Sequence, residues 1–323
     1  MSMPKKVRVI VPTYNAGDAW RDSVALLRRQ VDNCMSFHMS VLVVDSSSTD
    51  NTVLIAEEMK FDTVVIDKND FNHGGTRNFA VSLFPENDFD FVVFLTQDAA
   101  LANDTSIETL LSAFSDNNVA VAYGRQLPHA DANEVAKHAR YFNYPIASSK
   151  YDLSTKKSKG IKTVFCSNSF SAYRVIAFNQ LGGFPINTIL CEDMYFAAKA
   201  VLAGYKVAYV SDALVKHSHN YTFYDEFKRY FDIGVFHVTE PWIREEFGGS
   251  GGEGKRFIIS EFKYLMLSSP IQVFRAITNN IAKILGYRLG FWHERIPMFW
   301  KKKFSMHKGY WDNYGTEKFK GSL

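Results

Sequence analysis

The stretch FVVFLTQDA, Phe91–Ala99, decides the fold expected for this chain. Its first five residues are apolar and rich in Val and Phe, which is typical of a strand buried on both faces of a parallel sheet. Asp98 follows where such a strand ends, and open α/β sheets bind their ligands at this carboxyl-terminal edge. Asp98 therefore has two interpretations: the cap of a following turn or helix, or a ligand of a metal-diphosphate group.

Short β-branched runs alternate with helical patterns on the amino-terminal side of this stretch. Strands are predicted at residues 7–11, 41–44, 63–66 and 91–95, and helices at residues 18–31, 51–59 and 76–83. This alternation predicts an α/β fold, a doubly wound and mainly parallel sheet flanked by helices. Further along the chain, a strand is predicted at residues 119–123. Residues 148–159 are polar and rich in lysine, which predicts a flexible loop, and residues 192–203 predict a helix.

Length and composition allow one large domain or two, since 46% of the 323 residues are hydrophobic. We expect an α/β domain over residues 1–246, a glycine-rich loop over 247–256 and a basic, aromatic, helical C-terminal region over 257–323. No apolar run after Met1 is typical of a signal peptide, and no stretch approaches the roughly 18 apolar residues that span a bilayer. The odd cysteine count, without metal-ligand spacing, indicates a reduced, cytoplasmic setting.

The net charge of +3 is unevenly distributed, with +9 over residues 255–308 and −6 over residues 1–254. Between residues 274 and 285, Phe, Ile and Leu recur on one face of a predicted helix. Basic residues among Trp and Phe favour an interfacial helix on anionic lipid, and hence a peripheral membrane contact. The alternatives are a homo-oligomer interface or a helix packed on the rest of the chain. No nucleic-acid-binding motif accompanies the positive charge.

Polar residues are concentrated at three predicted strand exits, residues 13–15, 45–50 and 96–98. Parallel strands open on one edge of a sheet, so these residues should converge. Asp45 could accept hydrogen bonds from a base N–H or a ribose hydroxyl, and Asp98 could bind Mg²⁺ or Mn²⁺ through oxygen. The loop that ends at Arg77 adds flexible backbone and a cation near a helix start, which suits a diphosphate.

Five motifs in this order resemble the family 2 glycosyltransferases, which have the GT-A fold. They are VIVPTYNAG, VVDSSSTDNT, the loop ending in Arg77-Asn78, TQDA and CEDMYFAAKA. FNHGGTRN and TQDA, together with SMHKG near the C-terminus, resemble the L-rhamnosyltransferase branch. That branch transfers rhamnose from dTDP-L-rhamnose to bacterial surface polysaccharides, such as the O-antigen of lipopolysaccharide, and inverts the anomeric centre.

The resemblance assigns candidate roles to residues on the donor side of the site. It implies that Thr13, Asn15, Asp45, Arg77, Gln97 and Asp98 bind the donor nucleotide. Asp98 matches the last carboxylate of the family's DxD motif, whereas Thr96 stands in place of the first. His217 falls near the family's third metal ligand, with His219 as the second choice and a hydrogen-bonded loop histidine as the alternative. The implied cofactor is Mg²⁺ or Mn²⁺.

On the acceptor side, Asp193 matches the family's catalytic base, which takes the proton of the acceptor hydroxyl. Glu192 is expected to orient an acceptor hydroxyl or to cap the helix. The alternative for both is that they are first-turn acids that complement the helix dipole.

The sequence thus predicts an inverting glycosyltransferase at the inner face of the plasma membrane. Its expected substrates are dTDP-L-rhamnose, or another nucleotide sugar, and a lipid-linked saccharide. One alternative is a non-catalytic nucleotide-sugar-binding scaffold of a membrane assembly, which the missing DxD carboxylate favours. The other is a sugar-nucleotide nucleotidyltransferase, which usually has a basic, glycine-rich loop after its first strand; PTYNAG has one glycine and no basic residue.

Overall fold

The computed structural model describes residues 4–85, 88–249 and 251–315. Within them the chain forms two compact units. The first comprises the residues up to Leu127, Tyr144–Phe184 and Asp193–His217. The second comprises Pro128–Asn143, Pro185–Glu192 and the residues from Ser218 onward. We call them the sheet unit and the helical unit, and the predicted domain boundaries at residues 246 and 257 stay a prediction.

The sheet unit contains all the strands that the described residues form. They are β1 (Lys5–Thr13), β2 (Phe37–Asp45), β3 (Asp62–Val65), β4 (Phe91–Leu95), β5 (Ala100–Leu101), β6 (Val119–Leu127), β7 (Ser149–Tyr151), β8 (Phe170–Arg174) and β9 (Lys206–Lys216). Their order is β3-β2-β1-β4-β8-β6-β9-β5, with β7 beside β9. β1 is parallel to β2 and β4, β2 to β3, and β6 to β9, whereas β8, β5 and β7 are antiparallel to their neighbours. The prediction of a mainly parallel α/β sheet is confirmed.

The helices flank the sheet or form the helical unit. They are α1 (Trp20–Asn33), α2 (Thr52–Glu58), α3 (His73–Ser82), α4 (Ser106–Leu111), α5 (Glu134–Asn143), α6 (Lys156–Lys159), α7 (Val175–Gln180), α8 (Glu192–Leu202), α9 (Phe223–Thr239), α10 (Pro241–Phe247), α11 (Gly251–Ser268), α12 (Val273–Phe291), α13 (Met298–Phe304) and α14 (Lys308–Asn313). α5 and α9–α14 belong to the helical unit, and the predicted C-terminal helices are confirmed. In the described part of the chain, no helix is long and apolar enough to cross a bilayer.

β4 is buried on both faces, as its composition predicts. On one face Phe91 stacks on Phe114, with ring centres 4.5 Å apart. On the other face Phe94 lies 5.6 Å from the ring of Tyr173. This burial holds the exit of β4, and therefore Asp98, on the rigid centre of the sheet.

Three predicted loops are at least partly helix or strand. Residues 148–159 form β7, a 3₁₀ turn and α6, because β7 pairs with β9 and the Asp152 carboxylate caps the turn. α3 begins at His73, before the predicted start at residue 76, because the Asn72 side chain accepts a hydrogen bond from the Gly75 N–H. The glycine-rich stretch 247–256 is only partly a loop, since α11 begins at Gly251.

Candidate active site

The exits of β1 and β2 meet through Thr13 and Asp45, which are register partners in the parallel pair. The Thr13 hydroxyl donates to Asp45 Oδ2 at 2.9 Å, and the Ser48 N–H donates to Asp45 Oδ1 at 2.7 Å. Asp45 is fully buried. Its carboxylate thus holds the loop after β2 in place, and its predicted contact with a nucleotide stays a prediction.

Asn15 and Gln97 connect this cluster to the neighbouring loops. The Asn15 N–H donates to the Ser48 hydroxyl, and Asn15 Oδ1 accepts from the Thr49 N–H, both at 2.8 Å. The Gln97 amide accepts from the Tyr14 N–H at 2.7 Å and donates to the Tyr14 carbonyl at 3.1 Å. Thr13, Asn15 and Asp45 therefore belong to one hydrogen-bonded cluster at the sheet edge, and Gln97 binds the backbone of Tyr14 beside it.

Arg77 lies on α3 and is almost fully buried, with 4% of its surface exposed. Its guanidinium donates to the His73 carbonyl at 2.8 Å and lies 5.8 Å from the ring centre of Phe94. These contacts tie Arg77 to the first turn of α3 and to the face of β4. Its predicted contact with the donor nucleotide stays a prediction.

Asp98 and His217 come together because of the strand pairing that follows β4. β5 runs antiparallel to the end of β9, with Ala100 opposite Lys216. This register brings Asp98, two residues before Ala100, next to His217, one residue after Lys216. Asp98 Oδ2 lies 3.3 Å from His217 Nε2.

Gln126 determines which nitrogen of His217 faces Asp98. The Gln126 amide nitrogen donates to the Ser167 hydroxyl at 2.9 Å, and the carbonyl oxygen of the same amide lies 2.9 Å from His217 Nδ1. A carbonyl oxygen only accepts, so Nδ1 carries the proton, and in the neutral ring the Nε2 lone pair points to the Asp98 carboxylate. Two electron-rich atoms 3.3 Å apart require a cation or a second ring proton between them.

This arrangement fits a divalent cation. Asp98 Oδ2 and His217 Nε2 each offer one ligand atom, a carboxylate oxygen and an imidazole nitrogen. His217 and His219 are two residues apart on the stretch of chain that leaves β9, so the chain itself keeps them close. Carboxylate oxygen suits Mg²⁺ and Mn²⁺, and a neutral imidazole nitrogen is a common metal ligand in proteins. His217, the predicted first choice, thus faces Asp98, and His219 stays the second choice as a prediction.

Thr96 stands where the resemblance predicts the first carboxylate of a DxD motif. Its hydroxyl is buried without a hydrogen-bond partner among the described residues. The backbone of Thr96 donates to the Ser169 carbonyl at 3.2 Å. Position 96 therefore contributes no negative charge, and Asp98 supplies the carboxylate of this strand exit.

The pair Glu192 and Asp193 opens α8, directly after Cys191, whose φ is +62°. Asp193 Oδ2 accepts from the Asn168 N–H at 3.0 Å, and Oδ1 accepts from the Met194 N–H at 2.7 Å. Glu192 is 6% exposed. The Asp193 carboxylate is thus held at both oxygens by backbone donors, which is the orientation that a positioned base requires.

The interpretation of the sequence missed two residues that hold the candidate site, Gln126 and Asn168. Asn168 precedes β8, and its side-chain oxygen accepts from the Ser171 and Tyr173 hydroxyls at 2.8 and 2.7 Å. β8 runs antiparallel to β4, so its beginning lies at the exit of β4. Gln126 lies at the exit of β6, which was predicted to end at residue 123; a longer strand would have identified it.

Comparison with known proteins identifies a family and close relatives. Residues 8–182 match the model of glycosyl transferase family 2. The O-antigen chain rhamnosyltransferase WbaN of Salmonella anatum is 50% identical over 309 residues, which cover 94% of this chain and 95% of that protein. The O-antigen chain rhamnosyltransferase RfbN of Salmonella typhimurium is 49% identical over 312 residues, 95% of this chain and 96% of that protein.

Solved structures of glycosyltransferases share the fold. The mannosyltransferase PcManGT of Pyrobaculum calidifontis, solved with GDP-Man and Mn²⁺, covers 98% of this chain and 89% of its own, with a TM-score of 0.56 and 18% identity. TarS 1–349 of S. aureus, solved with UDP-GlcNAc, covers 90% of this chain and 91% of its own, with a TM-score of 0.53 and 16% identity. The predicted GT-A fold is confirmed.

Proposed function

Since the chain belongs to glycosyl transferase family 2, we propose that it transfers L-rhamnose from dTDP-L-rhamnose to a hydroxyl of an O-antigen precursor. The observation that carries this proposal is the 50% identity to an O-antigen chain rhamnosyltransferase over nearly the full length of both chains. The transfer inverts the anomeric centre, because the acceptor oxygen attacks the sugar from the side opposite to the departing dTDP.

Asp193 is the base of this reaction. An attacking hydroxyl must lose its proton as its oxygen bonds to the anomeric carbon, and a carboxylate within hydrogen-bond reach takes that proton. The Asn168 and Met194 N–H groups fix the Asp193 carboxylate, and the buried Tyr173 and Ser171 hydroxyls fix the Asn168 side chain. Glu192, next to the base at the start of α8, orients the acceptor hydroxyl.

The donor nucleotide lies against the exits of β1, β2 and β4. Thr13, Asn15, Asp45, Gln97 and Asp98 line this edge, and Arg77 contributes a positive charge from α3. Asp98 and His217 would hold Mg²⁺ or Mn²⁺, with His219 as the second choice for the histidine ligand. When bound, such a cation supplies positive charge that stabilises the leaving diphosphate.

The acceptor is a lipid-linked saccharide, so the enzyme works at the inner face of the plasma membrane and contacts it peripherally. The basic, apolar C-terminal region supports this location, because such a composition suits an anionic membrane surface.

The test measures dTDP release and sugar transfer by the purified protein with dTDP-L-rhamnose, with and without an acceptor saccharide. We expect release that depends on the acceptor, and an inverted anomeric configuration in the product by NMR. Tight binding of nucleotide sugar without turnover of any donor would support the scaffold alternative. Synthesis of dTDP-sugar from dTTP and a sugar phosphate would support the nucleotidyltransferase alternative.

A further inference from the structure

α11 and α12 form an antiparallel helical hairpin within the helical unit. Near its base, Lys283 Nζ lies 4.7 Å from the ring centre of Phe257. One turn further, the Asn280 amide donates to the Glu261 carboxylate at 2.6 Å. Nearer the turn, Leu265 packs with Ala276. As the residue number on α11 increases, the residue number of its partner on α12 decreases. The two helices therefore run side by side in opposite directions.

The face that α12 packs inward is made of small or polar residues. They are Ala276, Asn279, Ala282, Lys283, Gly286 and Gly290. Lys283 pairs with Glu226 of α9 at 3.4 Å, and both side chains are almost fully buried. Gly286 and Gly290 let the backbones of α9 and α12 approach, since a Cβ at either position would meet a carbonyl oxygen of α9 at 2.2 or 2.0 Å. The helix thus turns the opposite side outward.

The outward face of the hairpin is apolar. Along α11 and α12 its exposed large apolar residues are Ile258, Ile259, Phe262, Met266, Leu267, Phe274, Ile277, Ile281, Ile284 and Leu285. Exposure is greatest at the turn, where Leu267 is 91%, Ile271 88% and Phe274 76% exposed. Large apolar side chains exposed together on one hairpin mark a site of protein or membrane contact.

Every charged residue that this hairpin exposes between residues 255 and 291 is basic. The exposed basic residues include Lys255, Lys263, Arg275 and Arg288. The one acidic residue in this interval is Glu261, which is 1% exposed. The surface that partners this face must therefore accept apolar groups and carry negative charge.

We propose that the outward face and the turn of the α11–α12 hairpin bind the interface of an anionic lipid bilayer. A second copy of the chain fits less well, because a two-fold contact through this face would bring the same basic residues together without acidic partners. In a bilayer, Leu267, Ile271 and Phe274 enter the headgroup region, while lysine and arginine contact lipid phosphates. The inference rests on the proposed membrane-linked acceptor, and it identifies the surface that makes the contact.

The test is co-flotation of the full chain with vesicles, either of phosphatidylethanolamine and phosphatidylglycerol or of phosphatidylcholine alone. We expect binding to the anionic vesicles that weakens with added salt, and weaker binding to the neutral ones. The double variant Leu267→Asp, Ile271→Asp should lose tenfold or more in vesicle affinity, on the order expected from removing several buried CH₂ groups. Both residues are exposed, so circular dichroism should remain that of the wild type.

The matched control is Met35→Asp, Ile146→Asp, which changes two apolar residues of the sheet unit that are 92% and 78% exposed. It should bind vesicles as the wild type does. The inference is overturned if wild type ignores anionic vesicles, or if both double variants bind alike. It is also overturned if lipid-free wild type sediments as a dimer that only the hairpin variant dissociates.

Transfer to a water-soluble acceptor saccharide separates this inference from the proposed function. The hairpin variant should keep the wild-type rate there, because its substitutions lie outside the catalytic residues. A wild-type protein that binds vesicles but transfers no sugar would contradict the proposed function. It would not contradict the inference that the hairpin binds lipid.

Discussion

At the scale of single residues, His217 is oriented by a buried neighbour rather than by its own sequence context. Gln126 is 2% exposed, and its amide accepts from Nδ1–H while it donates to Ser167. Such outer contacts orient a ligating histidine and keep its basic nitrogen turned to the metal. The affinity for a divalent cation should therefore depend on a residue that does not touch it.

Replacement of Gln126 by Leu should weaken Mn²⁺ binding by about 10- to 100-fold, because Nδ1 loses its acceptor. Gln126→Glu should retain the affinity, since a carboxylate also accepts from Nδ1–H. Electron paramagnetic resonance of unbound Mn²⁺ measures both variants, and thermal melting checks their fold. Wild-type affinity in the Leu variant would contradict the assigned role of Gln126.

Asp193→Asn should lower the rate of rhamnose transfer by about 10²- to 10⁴-fold, because an amide cannot take the acceptor proton. Titration with dTDP should give nearly the wild-type dissociation constant, since the substitution lies on the acceptor side. If the variant transfers sugar at the wild-type rate, another residue is the base.

At the scale of elements, α9 and α12 pack so closely that only glycine fits at their contact. A Cβ at Gly290 would lie 2.0 Å from the Phe231 carbonyl oxygen, and one at Gly234 would lie 2.4 Å from the Tyr287 carbonyl oxygen. Both atoms belong to helix backbone, which cannot rotate away. The packing of α9 on α12 thus depends on glycines, which have no side chain, as well as on packed side chains.

Gly290→Ala should lower the free energy of unfolding by about 1–3 kcal/mol, as overpacking of a tight contact does. The control is Gly254→Ala on α11, where a Cβ would meet nothing within 4 Å. Alanine favours helix, so this control should be neutral or stabilising by under about 1 kcal/mol. Urea denaturation compares the two, and equal stabilities would argue against the tight contact.

Asp232 links α9 to the segment after α13, where its carboxylate accepts from the Met306 N–H at 2.8 Å. Burial raises the pKa of this carboxyl group to about 7. At pH values between 4, near the ordinary pKa of an aspartate, and 7, the folded chain holds a proton on Asp232 that the unfolded chain has lost. Stability from this group is therefore complete at low pH and declines as pH rises through that window.

Relative to Asp232→Asn, which cannot titrate, the wild-type free energy of unfolding should fall by up to about 1.4 kcal/mol per unit between pH 4 and pH 7. Chemical denaturation of both proteins across this range measures the difference, in which contributions of the other titrating groups cancel. Parallel pH profiles would show that Asp232 does not titrate in this window.

At the scale of the whole molecule, charge is separated along the chain, with −6 over residues 1–254 and +9 over residues 255–308. The acidic part contains the strand exits and the candidate cation ligands, whereas the basic part contains the hairpin. Such a separation suits an enzyme that binds a metal-nucleotide complex with one part and an anionic surface with another.

Binding of dTDP, the nucleotide product of the reaction, should stabilise the whole chain. A ligand that binds only the folded state adds about 2.7 kcal/mol to the free energy of unfolding when its concentration is 100 times its dissociation constant. The melting temperature should rise with dTDP, and further when Mn²⁺ is added with it. Asp98→Asn should lose the increment from Mn²⁺, whereas Asp22→Asn, an exposed carboxylate on α1, should keep it. A Mn²⁺ increment that survives in Asp98→Asn would place the cation elsewhere.

The sequence by itself was enough for the parallel strands β1 to β4, because β-branched runs and helical periods record local burial. β4 was predicted with its observed bounds, and the ordered motifs identified the family from residues at strand exits. The same residues indicated Thr13, Asn15, Asp45, Gln97 and Asp98 as a cluster, since parallel strands open on one edge.

Only the tertiary structure decided which residues hold Asp193 and His217 in place and which face of the C-terminal helices is turned outward. Asn168 and Gln126 reach the site through an antiparallel strand and a longer strand than predicted, and no local pattern encodes such pairings. The periodicity of α12 separates its apolar face from its polar face, but it does not predict which of the two faces is exposed. The apolar face of α12 lies outward because two glycines and the buried Lys283 on its other face fit α9. This fit is a property of the packed pair and not of either segment alone.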